Sequence, residues 1–169
     1  MISKMSNYKK TIFRESVMQD IKHLASQFRN AVNAAKDAGE FDKDTSFRNF
    51  PQGCCGDTSD LLAQFLLENG IRTYYVYGTY RAGVFDEIQT HAWLFTGNHI
   101  IIDITGDQFR YNPIFLNYNN PVYVGMEDVF HKMFEVEKRN IRANSGLEAL
   151  GHNCQPRLKG LYQKIVGYL

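Results

Sequence analysis

A chain of 169 residues with 44% hydrophobic and 22% charged side chains has the make-up of a single globular domain, 1–169, large enough to bury a core unaided. Its formal net charge of +1, with Lys and Arg spread along the chain, offers no footprint for nucleic acid. No stretch approaches the roughly 20 apolar residues of a membrane span, and Met1 to Phe13 lacks a signal-peptide core, so the expected setting is a cytoplasm with no membrane partner.

Residues 1–13 are polar and expected to be loosely ordered. From Arg14 to Ala38 the apolar positions Val17, Ile21, Leu24, Phe28, Val32 and Ala35 step by three or four, which predicts a long amphipathic helix over 14–38 closed by Gly39. A polar run, Glu40 to Asn49, leads to the turn Phe50-Pro51-Gln52-Gly53-Cys54-Cys55-Gly56. A second helix is expected from about Asp57 to Asn69, with Leu61, Leu62, Phe65 and Leu66 on one face and a stop at Gly70. It is short and apolar on that face, so it belongs in the centre of the fold.

Ile71 to Tyr80 is β-branched and aromatic and reads as a strand, Arg81 to Ile88 as a loop or irregular hairpin tip. Gln89–Phe95 and His99–Thr105 are strands about a Thr96-Gly97-Asn98 hairpin loop. With those three residues as the loop, His91 sits directly across from Asp103, with Cβ atoms about 4.5 to 5.5 Å apart. A two-residue loop at Gly97-Asn98 pairs His91 with Ile104 instead and turns Asp103 to the other face. Asp107 to Asn120 reads as an extended crossover, Pro121 to Val124 as a short strand, and Met126 to Phe134 as a helix that can continue through Arg142. Asn144 to Gln155 has no defined pattern, and Pro156 to Leu169 reads as a closing helix, 156–169, with Pro156 in its first turn.

The chemistry-bearing residues gather in 50–124. Three cysteines, two of them adjacent, cannot form a disulfide framework, which points to reduced thiols. A thiol at the start of the second helix meets unpaired N–H groups and the positive end of the helix dipole, both of which favour the nucleophilic thiolate. Such a thiol needs a base beside it, and the base needs a third group to fix its tautomer. His91 and Asp103 supply those types on neighbouring strands. Asp57 and Asp60, in the first turn of the helix, oppose a thiolate, so activation has to come mainly from His91. Each residue alone has a plainer role: a packed thiol, a satisfied core histidine, a turn-capping carboxylate. A carboxylate inside Ile100-Ile101-Ile102-Asp103-Ile104, however, is costly to bury without a partner.

The run Gly53-Cys54-Cys55 resembles the Gly-x-Cys nucleophile turn of the transglutaminase-like branch of the papain-like thiol enzymes. His91-Ala92-Trp93 is similar to that branch's His-x-Trp strand motif, and Asp103 follows at its usual interval. The likeness covers Phe50 to Phe109 and extends to bacterial proteins with a Phe-Pro-x-Gly-x-Cys turn, a Ser four residues after the Cys, here Ser59, and an Asp-x-Thr-x-x-Gln-Phe run, here Asp103 to Phe109. It implies an α+β fold with a central cysteine-bearing helix packed on an antiparallel sheet, flanked by N- and C-terminal helices. The implied chemistry is acyl transfer through a thioester on a protein or peptide substrate, with no cofactor.

On the motif, Cys55 is the nucleophile and Cys54 the variable position; the Cys55 N–H is a natural oxyanion donor, and Asn49 or Gln52 a candidate second. Trp93 and Gln108 are candidate positioning residues that serve equally well as structural ones. Members of the branch include peptidases, glutamine deamidases (toxins and effectors among them, so export without a cleavable signal stays compatible), transglutaminases and acyltransferases. The expected reaction is hydrolysis, as peptidase or deamidase, because a compact single domain lacks modules that present an amine acceptor. The alternatives are a transglutaminase or acyltransferase of the same fold, a non-catalytic binding module that keeps the fold, and a metal-binding regulator. Zinc on Cys54, Cys55, His91, His152 and Cys154 is disfavoured by spacing, so no metal is expected. His23, His99 and His131 fall on faces expected to be exposed.

Overall fold

A computed structural model describes the backbone of residues 2–81 and 88–169, and the side chains of 14–81 and 88–169. Over these residues the architecture is α+β, with three α-helices and a five-stranded antiparallel sheet ordered β4-β3-β2-β1-β5. The strands are β1 (Thr73–Arg81), β2 (Ile88–Thr96), β3 (Ile101–Asp103), β4 (Tyr123–Gly125) and β5 (Ile141–Ala143). The loop expected over 81–88 lies outside the described residues except at its ends, where Arg81 closes β1 and Ile88 opens β2.

Helix α1 (Ile2–Asp37) starts upstream of the expected Arg14, and its helical backbone takes in the stretch expected to be loosely ordered. Ile21, Ala25, Phe28, Val32 and Ala35 form its buried stripe, at the 3.6-residue spacing that lays a face on the core. Helix α2 (Cys55–Glu68) is the central one, contacting β1, β2, α1 and α3. Leu61, Leu62, Ala63, Phe65 and Leu66 bury its inner side. Helix α3 (Gln155–Val166) closes the chain, with Pro156 in its first turn and Leu158, Leu161 and Ile165 facing in. No helix among the described residues is long and apolar enough to cross a membrane.

Both faces of the sheet are covered, and this explains why His91 to Leu94 of β2 are buried in an unbroken run rather than alternating. Leu94, Ile102 and Ile104 pack with the helices. Val76, Trp93 and Ile101 join Phe109, Phe115, Phe130 and Phe134 in a second, aromatic cluster. That second layer is built from turns. The helix expected from Met126 does not form: 126–142 has only short 3-10 turns at His131–Met133 and Lys138–Asn140 and then β5, which pairs with β1. Glu135 bridges to Thr79 as an isolated strand contact, and Phe130 and Phe134 drop into the aromatic cluster. Tertiary burial of aromatic rings outweighs the helical spacing of this segment. The crossover Asp107–Asn120 likewise coils into turns at Gly106–Phe109 and Pro113–Phe115.

The β2–β3 hairpin differs from both sequence-based registers. Leu94 pairs with Ile102 and Phe95 with Ile101, and the Thr96 N–H donates to the Ile100 carbonyl at 3.0 Å. The tip is therefore Gly97-Asn98-His99. His99 adopts the left-handed conformation that closes three-residue loops, at φ 59°, and Thr96 Oγ1 accepts from the Asn98 and Ile100 N–H groups at 3.3 Å. Continuing this ladder sets Asp103 across from Trp93, diagonal to His91. The slip from the expected pairing is two residues, and an even slip keeps both side chains on one face.

Candidate active site

The nucleophile turn ends in Cys54, which caps α2, and Cys55, its first residue. The two thiols part there. Cys54 is buried, with its sulfur between the Pro51 carbonyl at 3.5 Å and Thr58 Oγ1 at 3.6 Å. Burial pushes its thiol up to about 12, against the Thr58 hydrogen bond. Cys55 is only partly buried and faces the His91 imidazole and the Ala92 backbone. Burial acts to raise this thiol too, but His91, by hydrogen bonding and charge, outweighs it and holds Cys55 below the ordinary thiol range.

His91 lies on β2 with no exposed surface. Its ring is walled by Trp93, Phe109, Phe130 and Phe134, with centroids between 5.3 and 5.6 Å away. The two nitrogens have different surroundings. Nε2 meets Asp103 Oδ2 at 2.8 Å, and Nδ1 meets Gln108 Nε2 at 3.1 Å. The aromatic enclosure disfavours the imidazolium, yet Asp103 and then Cys55 overcome it and raise His91 to about 9.

Asp103 is buried at the end of β3, and its partners make that tolerable. Oδ1 accepts from the Thr105 N–H at 2.8 Å and the Thr105 hydroxyl at 3.2 Å, leaving Oδ2 for His91. Burial would raise this carboxyl; His91 and His131 together hold it well below the usual carboxylate range. Gly106 makes the room: a Cβ there would stand 2.9 Å from Asp103 Oδ2 and 2.7 Å from the Tyr118 ring. Gly78, the partner of His91 on β1, does the same opposite the imidazole, where a Cβ would meet Phe134 Cβ at 2.6 Å and Trp93 Cη2 at 2.9 Å.

His131 was expected on an exposed face and is instead buried beside Asp103. The helix expected over 126–134 would have turned it outward. In the 3-10 turn that forms, its Nδ1 is 2.7 Å from Asp128 Oδ1 and its Nε2 is 3.4 Å from Asp103 Oδ2. No sequence pattern marks this residue. The only available signal is that Phe130 and Phe134 flank it, and a histidine between two core aromatics has to find buried partners.

The other candidate residues divide. The Gln108 amide donates to the Thr105 carbonyl at 3.1 Å and reaches His91 Nδ1 at 3.1 Å, while the Gln52 amide donates to the Gln108 backbone carbonyl at 2.8 Å, so Gln108 stands at the imidazole and Gln52 is tied to its backbone. Trp93 is a wall of the site and also lines an apolar groove of about 480 Å³ with Val76, Phe95, Ile101, Met126 and Val136. Asn49 is exposed on the turn before Phe50 and is not brought to the imidazole. The acids of the first α2 turn are countered: Asp57 pairs with Arg157 at 2.8 Å and Asp60 with Arg142.

A buried arginine ties the site to α1. Arg29 grips Asp107 through two 2.8 Å hydrogen bonds, donates to the Ile104 and Pro121 carbonyls, and lies 4.5 Å over the Phe50 ring. For a cation, the donor atoms of His91, Asp103 and His131 lie within 4.8 Å of one another. Two of them are already 2.8 Å apart, in contact through a proton, and the cluster is sealed by aromatic rings, so a metal would have to displace the His91–Asp103 bond. No family model, no curated protein and no solved structure matches this chain.

Proposed function

We propose that this chain is a Cys-His-Asp thiol enzyme of the transglutaminase-like, papain-like kind, hydrolysing amide bonds of a protein or peptide substrate as a peptidase or glutamine deamidase. The observation that carries the reading is the imidazole of His91, enclosed by aromatic rings, with Nε2 on the Asp103 carboxylate and Cys55 facing it at the start of a helix.

In this mechanism Asp103 keeps the Nε2 proton, so Nδ1 is the nitrogen that exchanges a proton with Cys55. Sulfur attacks the substrate carbonyl carbon while Nδ1 holds the thiol proton. The tetrahedral intermediate collapses as that proton passes to the leaving amine or ammonia, and a thioester on Cys55 remains. Water then loses a proton to Nδ1, attacks the thioester, and releases the acid and the thiol. The negative oxygen of each intermediate needs donors, and the Cys55 N–H, in the first turn of α2 with no helical acceptor, is one. Gln108 is the second: once Nδ1 carries a proton it can no longer accept from the Gln108 amide, which is then free to turn to the oxyanion. An amine in place of water would give a transpeptidase or transglutaminase outcome through the same thioester. Free Cys54, Cys55 and Cys154 suit a reducing compartment such as a cytoplasm.

Intact-mass measurement of iodoacetamide labelling over graded pH tests the reading. The expected result is rapid single labelling well below the ordinary thiol pKa near 8.5, abolished by Cys55→Ala and slowed at least about tenfold by His91→Ala. Labelling that follows an ordinary thiol titration in all three proteins would leave no activated nucleophile and sink the proposal.

A further inference from the structure

The strongest unassigned feature is the second histidine behind the carboxylate. Asp103 Oδ2 is approached from one side by His91 Nε2 at 2.8 Å and from the other by His131 Nε2 at 3.4 Å. The imidazoles have centroids 6.4 Å apart, and His131 is 1% exposed. Its Nδ1 is engaged by Asp128 Oδ1 at 2.7 Å, while its Nε2 is a buried polar atom with no hydrogen-bond partner among the described residues. A carboxylate at Nδ1 can only accept a hydrogen bond there, so Nδ1 carries N–H. Nε2 then has two options. A bare lone pair would face the Asp103 carboxylate in an enclosure of low polarity, which is repulsive; an N–H would face it attractively and make the ring an imidazolium.

We propose that His131, oriented by Asp128, is a positively charged positioning residue that holds Asp103 from behind, so that the candidate triad is the front half of a five-membered chain, Cys55–His91–Asp103–His131–Asp128. Its catalytic consequence rests on the thiol-enzyme reading of Cys55; its charge state does not. The fixed positive charge keeps Asp103 ionised and tempers its pull on His91, so His91 can give up its proton to a leaving group at moderate pH. The groups facing His131 are Asp103 from β3, Asp128 from its own turn, His91 and Trp93 from β2, Tyr123 from β4 and Tyr118 from the crossover. Of the tyrosines, Tyr118 donates to Asp128 Oδ2 at 3.1 Å and Tyr123 to the Met126 carbonyl, so neither hydroxyl competes for Nε2. The direction of the His131 shift agrees: burial works against the charge, and Asp103 and Asp128 override it.

Two measurements on the whole chain test this. Histidine side-chain ¹⁵N NMR, assigned by through-bond correlation to the His131 backbone, should show protons on both His131 nitrogens at pH 7. A neutral His131 there overturns the proposal. So does stoichiometric zinc in the purified chain with Nε2 unprotonated, which would make the cluster a metal site. The second measurement is the pH profile of Cys55 labelling by iodoacetate, whose own negative charge makes the rate fall as the His91 imidazolium is lost. His131→Gln keeps a donor and removes the charge, so the alkaline limb should move up by on the order of one pH unit, with the acid limb moving less. His131→Asn serves if the first variant does not fold. A lower rate with both limbs in place would mean a merely structural role and would overturn the positioning claim. A parent with no thiolate below the ordinary range counts against the enzyme reading, and the NMR result separates that failure from this one.

Discussion

Adjacent cysteines with opposite fates show how finely a helix start sorts side chains. Cys54 turns into the core against Thr58 and the Pro51 carbonyl, and Cys55 turns out to the imidazole. Cys54→Ala is accordingly expected to leave iodoacetamide labelling of Cys55 within about twofold while lowering stability by about 1 kcal/mol, read from urea midpoints alongside intact mass. The Gln108 amide allows a sharper separation. Alkylation builds no oxyanion and acylation does, so Gln108→Ala should leave iodoacetamide labelling nearly unchanged and slow reaction with an activated ester such as p-nitrophenyl acetate by about a hundredfold. Equal losses with both reagents would mean that Gln108 only orients His91.

At the scale of elements, the loop after β3 does most of the arranging. In the run Asp103 to Phe109, Thr105 holds Asp103, Gly106 clears space for it, Asp107 takes Arg29, Gln108 reaches His91 and Phe109 walls it. Arg29→Ala would strand the Asp107 carboxylate in the core and is expected to cost about 3–5 kcal/mol, measured by denaturant unfolding; a cost below about 1 kcal/mol would show that the pair does not anchor this loop. Much of this was legible in the sequence. Periodicity located the stripe of α1 and the apolar face of α2, and the Gly-Cys-Cys turn and the buried carboxylate pointed to Cys55, His91 and Asp103. The hairpin register was not legible, because whether Thr96 or His99 enters the tip depends on one hydroxyl capping two N–H groups. The 126–142 segment was misread for a related reason: helical spacing of Phe130 and Phe134 serves a turn equally well when an aromatic pocket receives both rings.

For the whole molecule, a buried carboxylate between two imidazoles makes folding sensitive to acid. Asp103 titrates below its unfolded value, so its contribution to stability is fully present above about pH 4 and is lost as pH falls through the lower folded value. His91 is shifted the other way; its contribution is present below about pH 6.5 and drains away as pH rises through about 9. Urea midpoints should therefore fall on acidification from pH 5 to 3, and Asp103→Asn should flatten that slope while lowering the plateau; an unchanged slope would place the acid sensitivity in other carboxylates. Arg29 carries a last consequence. One guanidinium spans the ring that opens the nucleophile turn and the loop that follows the acid, so these two regions cannot come apart independently. On gentle heating, thiol reactivity and α1 docking should then vanish together at a single temperature, and no partly melted form with a working sulfur but a detached α1 should accumulate.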